Sequence, residues 1–377
     1  MAESIRPLWA TVDLDCIRHN VAYLKGLTPP GCLFMAVVKA NAYGHGDVQV
    51  SRAALEAGAD CLGVALVEEA ARLRDAGLDC PVHVLFEPPA AGASLSVSLG
   101  VVSSVYSEAY ARALSEAAQA RGTTASVHIK VDSGMHRVGV GPGNAAAFAK
   151  SVDGMPGVRV DGTYTHFAVA TEPDDPFTAG QIEVFERAAS EMEESLGRSL
   201  LRHGANSAGV MAFPLSHWDM VRVGIAMLGL KPSALVNGSG NLRPALTLGG
   251  EISFVKTVAA GEGISYGLNY APAGETTIAT LPIGYADGLS RLLSGKAEAL
   301  IGGKRKPVVG TICMDVCMAD LGGDAAGPGT PFVIIGGDAS ERITAEEVAE
   351  KMGTINYEVV CMISSRVPRV FTGEKGD

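Results

Sequence analysis

From about residue 30 to residue 230 the chain alternates short apolar runs with helix-like segments, and few folds accept that alternation. The runs are 33–38, 61–65, 81–86, 101–105, 126–131, 162–167, 200–203 and 220–223. Several are rich in Val and Ile, as strands buried on both faces tend to be. Between them, 51–59, 68–76, 108–120 and 181–196 carry apolar residues every three or four positions, the spacing of an amphipathic helix. Gly58, Gly77, Gly122 and Gly197 follow helices, where a left-handed cap suits glycine. Repeated strand–helix units demand parallel pairing with right-handed crossovers. About eight of them fit a closed (β/α)8 barrel of the TIM type better than an open doubly wound sheet, which stands as the alternative.

The pattern breaks near Leu230. Residues 231–241 are polar, small and turn-rich, which is linker chemistry. Beyond them 246–257, 276–282, 297–301, 306–312, 316–319 and 331–335 read as strands between Gly, Pro and Asp turns. Residues 344–352 read as a helix capped by Thr344, with Glu347 completing a capping box. The expected class is α/β: a barrel over 1–238, then a mainly β domain over 239–377.

Composition narrows the function. The chain has 377 residues, enough for two domains. Lys+Arg total 30 against Asp+Glu 41, a net charge of −11, and no basic block is present, which argues against nucleic acid as partner. The seven cysteines are scattered without C-x-x-C spacing. No histidine stands near Cys313 and Cys317 at zinc-site spacing, so reduced thiols and no metal are expected. The longest uncharged stretch, 88–107, is full of Pro, Gly and Ser, so no membrane span is expected. The first residues lack the apolar core of an export signal, which gives a cytoplasmic expectation.

A barrel presents its functional groups at the C-terminal ends of its strands. Polar residues stand at those places: Lys39, Lys130, His166, Asn206, Ser207 and Arg222. Charges are costly inside apolar strands unless paired or functional. A lysine at a buried strand tip suggests Schiff-base chemistry, because burial lowers its pKa and frees the amine; a structural ion pair is the bland alternative. Ser207, Gly224 and Ile225 offer a hydroxyl and backbone N–H groups near the last strands, where barrels often hold phosphate. Lysine plus a phosphate cup points to pyridoxal phosphate.

The same residues carry a resemblance that spans nearly the whole chain. Val-Val-Lys39-Ala-Asn-Ala-Tyr43-Gly-His-Gly resembles the pyridoxal-phosphate motif of bacterial alanine racemases. Further matches are Lys130-Val-Asp-Ser-Gly-Met-His-Arg137, Thr-His166-Phe-Ala, Ala-Asn206-Ser207-Ala and Arg222-Val-Gly224-Ile225-Ala. In the β region they are Ile-Ser-Tyr266-Gly, Pro-Ile-Gly-Tyr285-Ala-Asp-Gly, Cys313-Met314-Asp315, Thr-Ile-Asn-Tyr357-Glu and Arg366-Val-Pro-Arg369. The resemblance implies a barrel followed by a β domain. It implies a small amino-acid substrate, and interconversion of L- and D-alanine that supplies D-alanine for peptidoglycan.

Racemisation removes a proton from one face of Cα and delivers one to the other, so two bases are expected. By resemblance these are Lys39, acting on the D-isomer, and Tyr266, acting on the L-isomer and supplied by the second subunit of a homodimer with shared active sites. A free tyrosine is a poor base at neutral pH; nearby positive charge would help, and His166 and Arg222 are the implied neighbours. Arg222 is also implied to face the pyridine nitrogen, donating a hydrogen bond without fully protonating the ring. Tyr43, Ser207, Gly224, Ile225 and Tyr357 match the phosphate-holding set. Arg137, whose planar fork suits a carboxylate, and the backbone N–H of Met314 match the substrate-carboxylate set. Lys130 matches a lysine often carbamylated, which would place negative charge beside Arg137. Asn206, Tyr285 and Asp315 match supporting or access-corridor groups.

The chain departs from the family pattern in a few places. Val223 replaces a proline, Leu228-Gly229 a Tyr-Gly, and Gly310-Thr311-Ile312 a stretch that often carries arginine; Leu268 and Asn269 add bulk after Tyr266-Gly. These lie beside the catalytic positions and bear on substrate breadth and rate. A racemase preferring serine or a broader amino-acid set is the alternative. A decarboxylase is disfavoured by Arg222, where that class would place an acid. A non-catalytic pyridoxal-phosphate carrier is disfavoured by the second domain and Tyr266.

Overall fold

The computed structural model describes residues 5–337 and 341–373. They form two compact units. One comprises Ile17–Ala42 and Asp47–Arg243; the other comprises the described residues before Ile17, Tyr43–Gly46, and those from Pro244 onward. The first strand, β1 (Leu8–Asp13), belongs to the second unit. The next eight are β2 (Leu33–Val37), β3 (Cys61–Val64), β4 (Val82–Val84), β5 (Val102–Val105), β6 (Ala125–Lys130), β7 (Val158–Tyr164), β8 (Leu201–His203) and β9 (Met220–Val223). All neighbours pair in parallel, and β2 pairs with β9, so the barrel closes. The open-sheet alternative is thereby excluded.

Amphipathic helices cover the barrel for the reason their spacing gives. In Glu108–Arg121 the buried residues Tyr110, Ala111, Leu114 and Ala118 recur every three or four positions. Ser107 Oγ accepts from Tyr110 N at 3.3 Å at its start, and Gly122 ends it at φ 61°. These side chains pack with Val127 and Ile129 of β6, and with Phe185 and Met192 of the helix Phe177–Leu196. Burying a side chain such as Leu114 or Phe185 stabilises by about 1.5–3 kcal/mol relative to leaving it exposed.

The second unit is a ten-stranded sheet. Its later strands are β10 (Leu246–Glu251), β11 (Phe254–Val258), β12 (Thr276–Leu281), β13 (Glu298–Ile301), β14 (Lys304–Val309), β15 (Cys317–Gly322), β16 (Pro331–Gly337), β17 (Arg342–Ile343) and β18 (Arg369–Thr372). Their order is β11-β12-β15-β14-β13-β16-β10-β1-β18, with β17 on β16. This differs from a single cut at 238/239. β1 alternates buried and half-buried residues, which suits a sheet covered on one face, and it pairs antiparallel with β10 and parallel with β18. The expected strand 246–257 is two strands, because β10 pairs with β1 and β16 whereas β11 pairs with β12. Thr344 caps the helix Ala345–Met352, accepting from Glu347 N at 3.1 Å. The Glu347 carboxylate leaves the capping box for a bidentate pair with Arg305, at 2.6 and 3.0 Å. Among the described residues no helix is long and apolar enough to cross a membrane.

Candidate active site

The residues expected at the barrel mouth follow the strand ends as sequence order requires. Lys39 lies two residues past β2 and opens an unusual turn: Ala40, Asn41, Ala42 and Tyr43 all have φ between 50° and 56°. L-residues rarely sustain such a left-handed run. Glu69 holds it, its carboxylate accepting from Ala40 N at 2.6 Å, Ala65 N at 2.8 Å and Leu66 N at 3.0 Å. Asn41 Oδ1 adds a second tie, accepting from Asp47 N at 3.1 Å.

Arg222, near the end of β9, is 4% exposed and sits among acceptors rather than acids. Its Nη2 lies 2.9 Å from Thr165 O, 3.0 Å from Gly204 O and 3.1 Å from His166 Nδ1; its Nη1 donates to His203 Nδ1 at 2.9 Å. Among the described residues it has no carboxylate partner, and its Nε–H has no acceptor. Burial draws its pKa down to about 10, still charged at neutral pH. His166 is held well below its usual pKa by burial and then by Arg222, Arg137, Lys130 and Lys39, so its ring is neutral. Lys130 is 3% exposed, donates to Val131 O at 2.8 Å, and is drawn down to about 7 by burial and then by Arg222. Arg137 is exposed, stacked 5.2 Å over the Phe86 ring, and has no carboxylate partner among the described residues.

Past β8, Asn206 caps a short helix, its Oδ1 accepting from Gly209 N at 2.9 Å. Ser207 Oγ accepts from Gly224 N at 3.1 Å and from Ala226 N at 3.3 Å, so its own hydrogen is left to donate elsewhere. Gly224 turns the backbone into Ile225, at φ −112° and ψ −94°.

The remaining candidates lie in the second unit. Tyr43 and Tyr357 meet edge to face, ring centroids 6.1 Å apart, and burial pushes Tyr357 up to about 12, so its phenol stays protonated. Tyr266 is 72% exposed and sits in a tight turn, not in a strand. Tyr285 N donates to Cys313 O and Ala286 N to Met314 O, both at 3.0 Å, which stitches two candidate segments together. A Cβ on Gly284 would fall 2.3 Å from Met314 O, so only glycine permits that approach. Asp315 is occupied by Arg366 at 2.6 Å.

Several groups escaped the sequence reading. His83, His128 and His203 come from alternate barrel strands, β4, β6 and β8, and their buried rings meet with centroids 4.7–5.4 Å apart. Together they have the composition of a metal-ligand cluster. Their hydrogen bonds favour another role. Arg222 can only donate to His203 Nδ1, so His203 Nε2 carries the proton it gives to His128 Nδ1 at 2.8 Å. A metal on Nε2 would therefore displace that proton or the arginine. On the other side Tyr164 stacks on His203, donates to Leu85 O at 2.8 Å, and meets Ser104 Oγ at 2.7 Å. The barrel core behind Arg222 is thus a neutral, hydrogen-bonded layer, with His128 drawn down to about 3 by burial and Arg222. A histidine in each of three alternate strands was the available signal.

A family profile described as the N-terminal domain of alanine racemase matches residues 12–232, and one described as its C-terminal domain matches 245–371. An alanine racemase of Desulfovibrio desulfuricans is 44% identical over 367 residues, 97% of this chain and 98% of that protein. One of Desulforamulus reducens is 46% identical over 371 residues, 97% and 99%. The crystal structure of alanine racemase from a D-cycloserine-producing Streptomyces lavendulae superposes with a TM-score of 0.95 at 38% identity, covering 99% of each chain. The Bacillus anthracis enzyme, solved with bound L-Ala-P, gives 0.92 at 40% identity, covering 98% of this chain and 96% of that one. The chain is therefore a racemase, and so an isomerase. It belongs to the alanine racemase family.

Proposed function

We propose that the chain interconverts L-alanine and D-alanine by two-base proton transfer on bound pyridoxal phosphate, with the D-alanine supplied to peptidoglycan. The observation that carries this reading is Arg222, a buried guanidinium without a carboxylate and with an N–H to spare. Such a donor fits an aromatic ring nitrogen, and the cations around it fit an anionic ligand. When bound, pyridoxal phosphate supplies a carbonyl carbon for an amine and an electron-withdrawing ring that acidifies the substrate's Cα–H.

Lys39 would hold the group covalently, with His166 beside its ring. Tyr43, Ser207, Tyr357 and the N–H of Ile225 would hold its phosphate, with Gly224 turning the backbone between. The free hydrogen of Ser207 and the protonated Tyr357 phenol are the donors such an anion needs. Arg137 and the N–H of Met314 receive the substrate carboxylate. Lys39 Nζ moves the proton on one face of Cα, acting on the D-isomer. Tyr266 Oη moves it on the other, acting on the L-isomer. The working form is a homodimer in which Tyr266 serves the partner's barrel; its exposure, and that of Leu268 at 67%, support a partner-facing turn.

Purified protein assayed on L-alanine, D-alanine and L-serine tests the reading. Alanine is expected to turn over faster than serine. Lys39→Ala is expected to lose racemisation together with the visible absorbance of the bound cofactor. Tyr266→Phe is expected to lose nearly all racemisation and keep the absorbance. Faster serine turnover, or an active Tyr266→Phe protein, rejects the assignment.

A further inference from the structure

We infer that Thr311 is a positioning residue for Tyr266: it clamps the strained turn from which the phenol projects. The inference rests on the reading of Tyr266 as a proton-transfer base. Thr311 is 5% exposed, and it meets this turn through three hydrogen bonds. Its Oγ1 donates to Tyr266 O at 2.8 Å and accepts from Asn269 Nδ2 at 3.3 Å. Its carbonyl accepts from Ser265 Oγ at 2.6 Å.

The turn needs such a clamp. Ser265 has φ 68° and ψ −176°, a region almost confined to glycine, and Leu268 has φ 50°. Strain of this kind persists only where the surroundings over-determine it. Tyr266 cannot supply that itself, because its side chain is largely exposed. The support comes from the segment beneath. A Cβ on Gly310 would lie 2.8 Å from both Ile264 O and Ser265 Cβ, so the two segments are in direct contact. Removing the Thr311 hydroxyl frees the Tyr266 carbonyl and Asn269 while leaving the Ser265 bond, so the turn loosens at the base without losing its place.

The test uses the holoenzyme with Thr311→Val, which keeps shape and loses the hydroxyl, and Thr311→Ser, which restores it. The two enantiomers have equal free energy, so kcat/KM must be equal in both directions, and asymmetry is sought in isotope effects. Thr311→Val is expected to lower kcat about tenfold with KM changed less than about twofold. With alanine deuterated at Cα, the isotope effect is expected to rise for the L-isomer and not for the D-isomer. Amide hydrogen exchange over 264–270 is expected to quicken in Thr311→Val, and Thr311→Ser to restore every quantity. Unchanged isotope effects, equal rises in both directions, or no rescue by serine overturns the clamp. Tyr266→Phe separates the two levels: if it is inactive while Thr311→Val behaves as wild type, only the clamp fails; if it is active, the base reading fails.

Discussion

Lys130 shows how one residue's surroundings set its chemistry. Its amine is buried beside Arg222 and Arg137, and only Asp132 pulls its pKa upward; burial wins and the value falls to about 7. The sign follows directly: as pH rises through about 7, the buried amine loses its proton. A neutral amine adds to carbon dioxide, forming an N–C bond and releasing one proton to solvent, so the group passes from neutral to negative. We propose that this carbamate steadies Arg137, whereas a protonated Lys130 would repel it. Enzyme equilibrated with carbon-13 bicarbonate is expected to show a carbamate NMR resonance that strengthens from pH 6 to pH 8 and is absent in Lys130→Ala. The same substitution is expected to raise KM for alanine more than it lowers kcat. A spectrum without that resonance at any pH leaves Lys130 unmodified. The reactive environment could not be read from the sequence. It depends on burial within the folded barrel and on Arg222, which is distant in sequence.

At the scale of elements, the turn from Ala40 to Tyr43 is where local preference and fold disagree most. Each non-glycine residue in a left-handed conformation is unfavourable by roughly 1–2 kcal/mol, yet four occur in succession. Glu69 offsets part of this through its bond from Ala40 N, worth about 1.5–3 kcal/mol for a charged acceptor, while its bonds from Ala65 N and Leu66 N anchor the carboxylate at the start of the next helix. Glu69→Ala is expected to lower the thermal midpoint by several degrees and weaken cofactor retention, with Glu69→Gln falling between it and wild type. An unchanged midpoint would place the support elsewhere. The eight barrel strands were legible because strands buried on both faces read as continuous apolar runs, and all eight stand within a few residues of their expected bounds. β1 and β18 were not legible. Their apolar character is diluted by alternation, and β1 pairs with β10 and β18, both far along the chain. The left-handed turn was equally hidden, since Lys-Ala-Asn-Ala-Tyr has ordinary right-handed preferences and one of its ties comes from Glu69, about 30 residues on.

For the whole molecule, the proposal that Tyr266 serves the barrel of a second subunit is testable by mixing variants, and the exposure of Tyr266 suits it. On the proposed two-base reading, Lys39→Ala and Tyr266→Phe each remove one base, so either variant refolded alone is expected to be inactive. If Tyr266 serves the partner's barrel, a mixed dimer holds one site lacking both bases and one site with both intact. Random reassortment makes about half of all dimers mixed, so activity should recover to about a quarter of the wild-type value. If Tyr266 serves its own barrel, every site in the mixed dimer lacks one base, and no activity returns. Unfolding and refolding the two variants together, then assaying alanine racemisation against each refolded alone, distinguishes the cases. Recovery that requires co-refolding, and that vanishes when the double variant replaces either partner, establishes the shared site. Such recovery would also give the chain a physical reason to be dimeric, because neither subunit alone would then present both bases to one Cα.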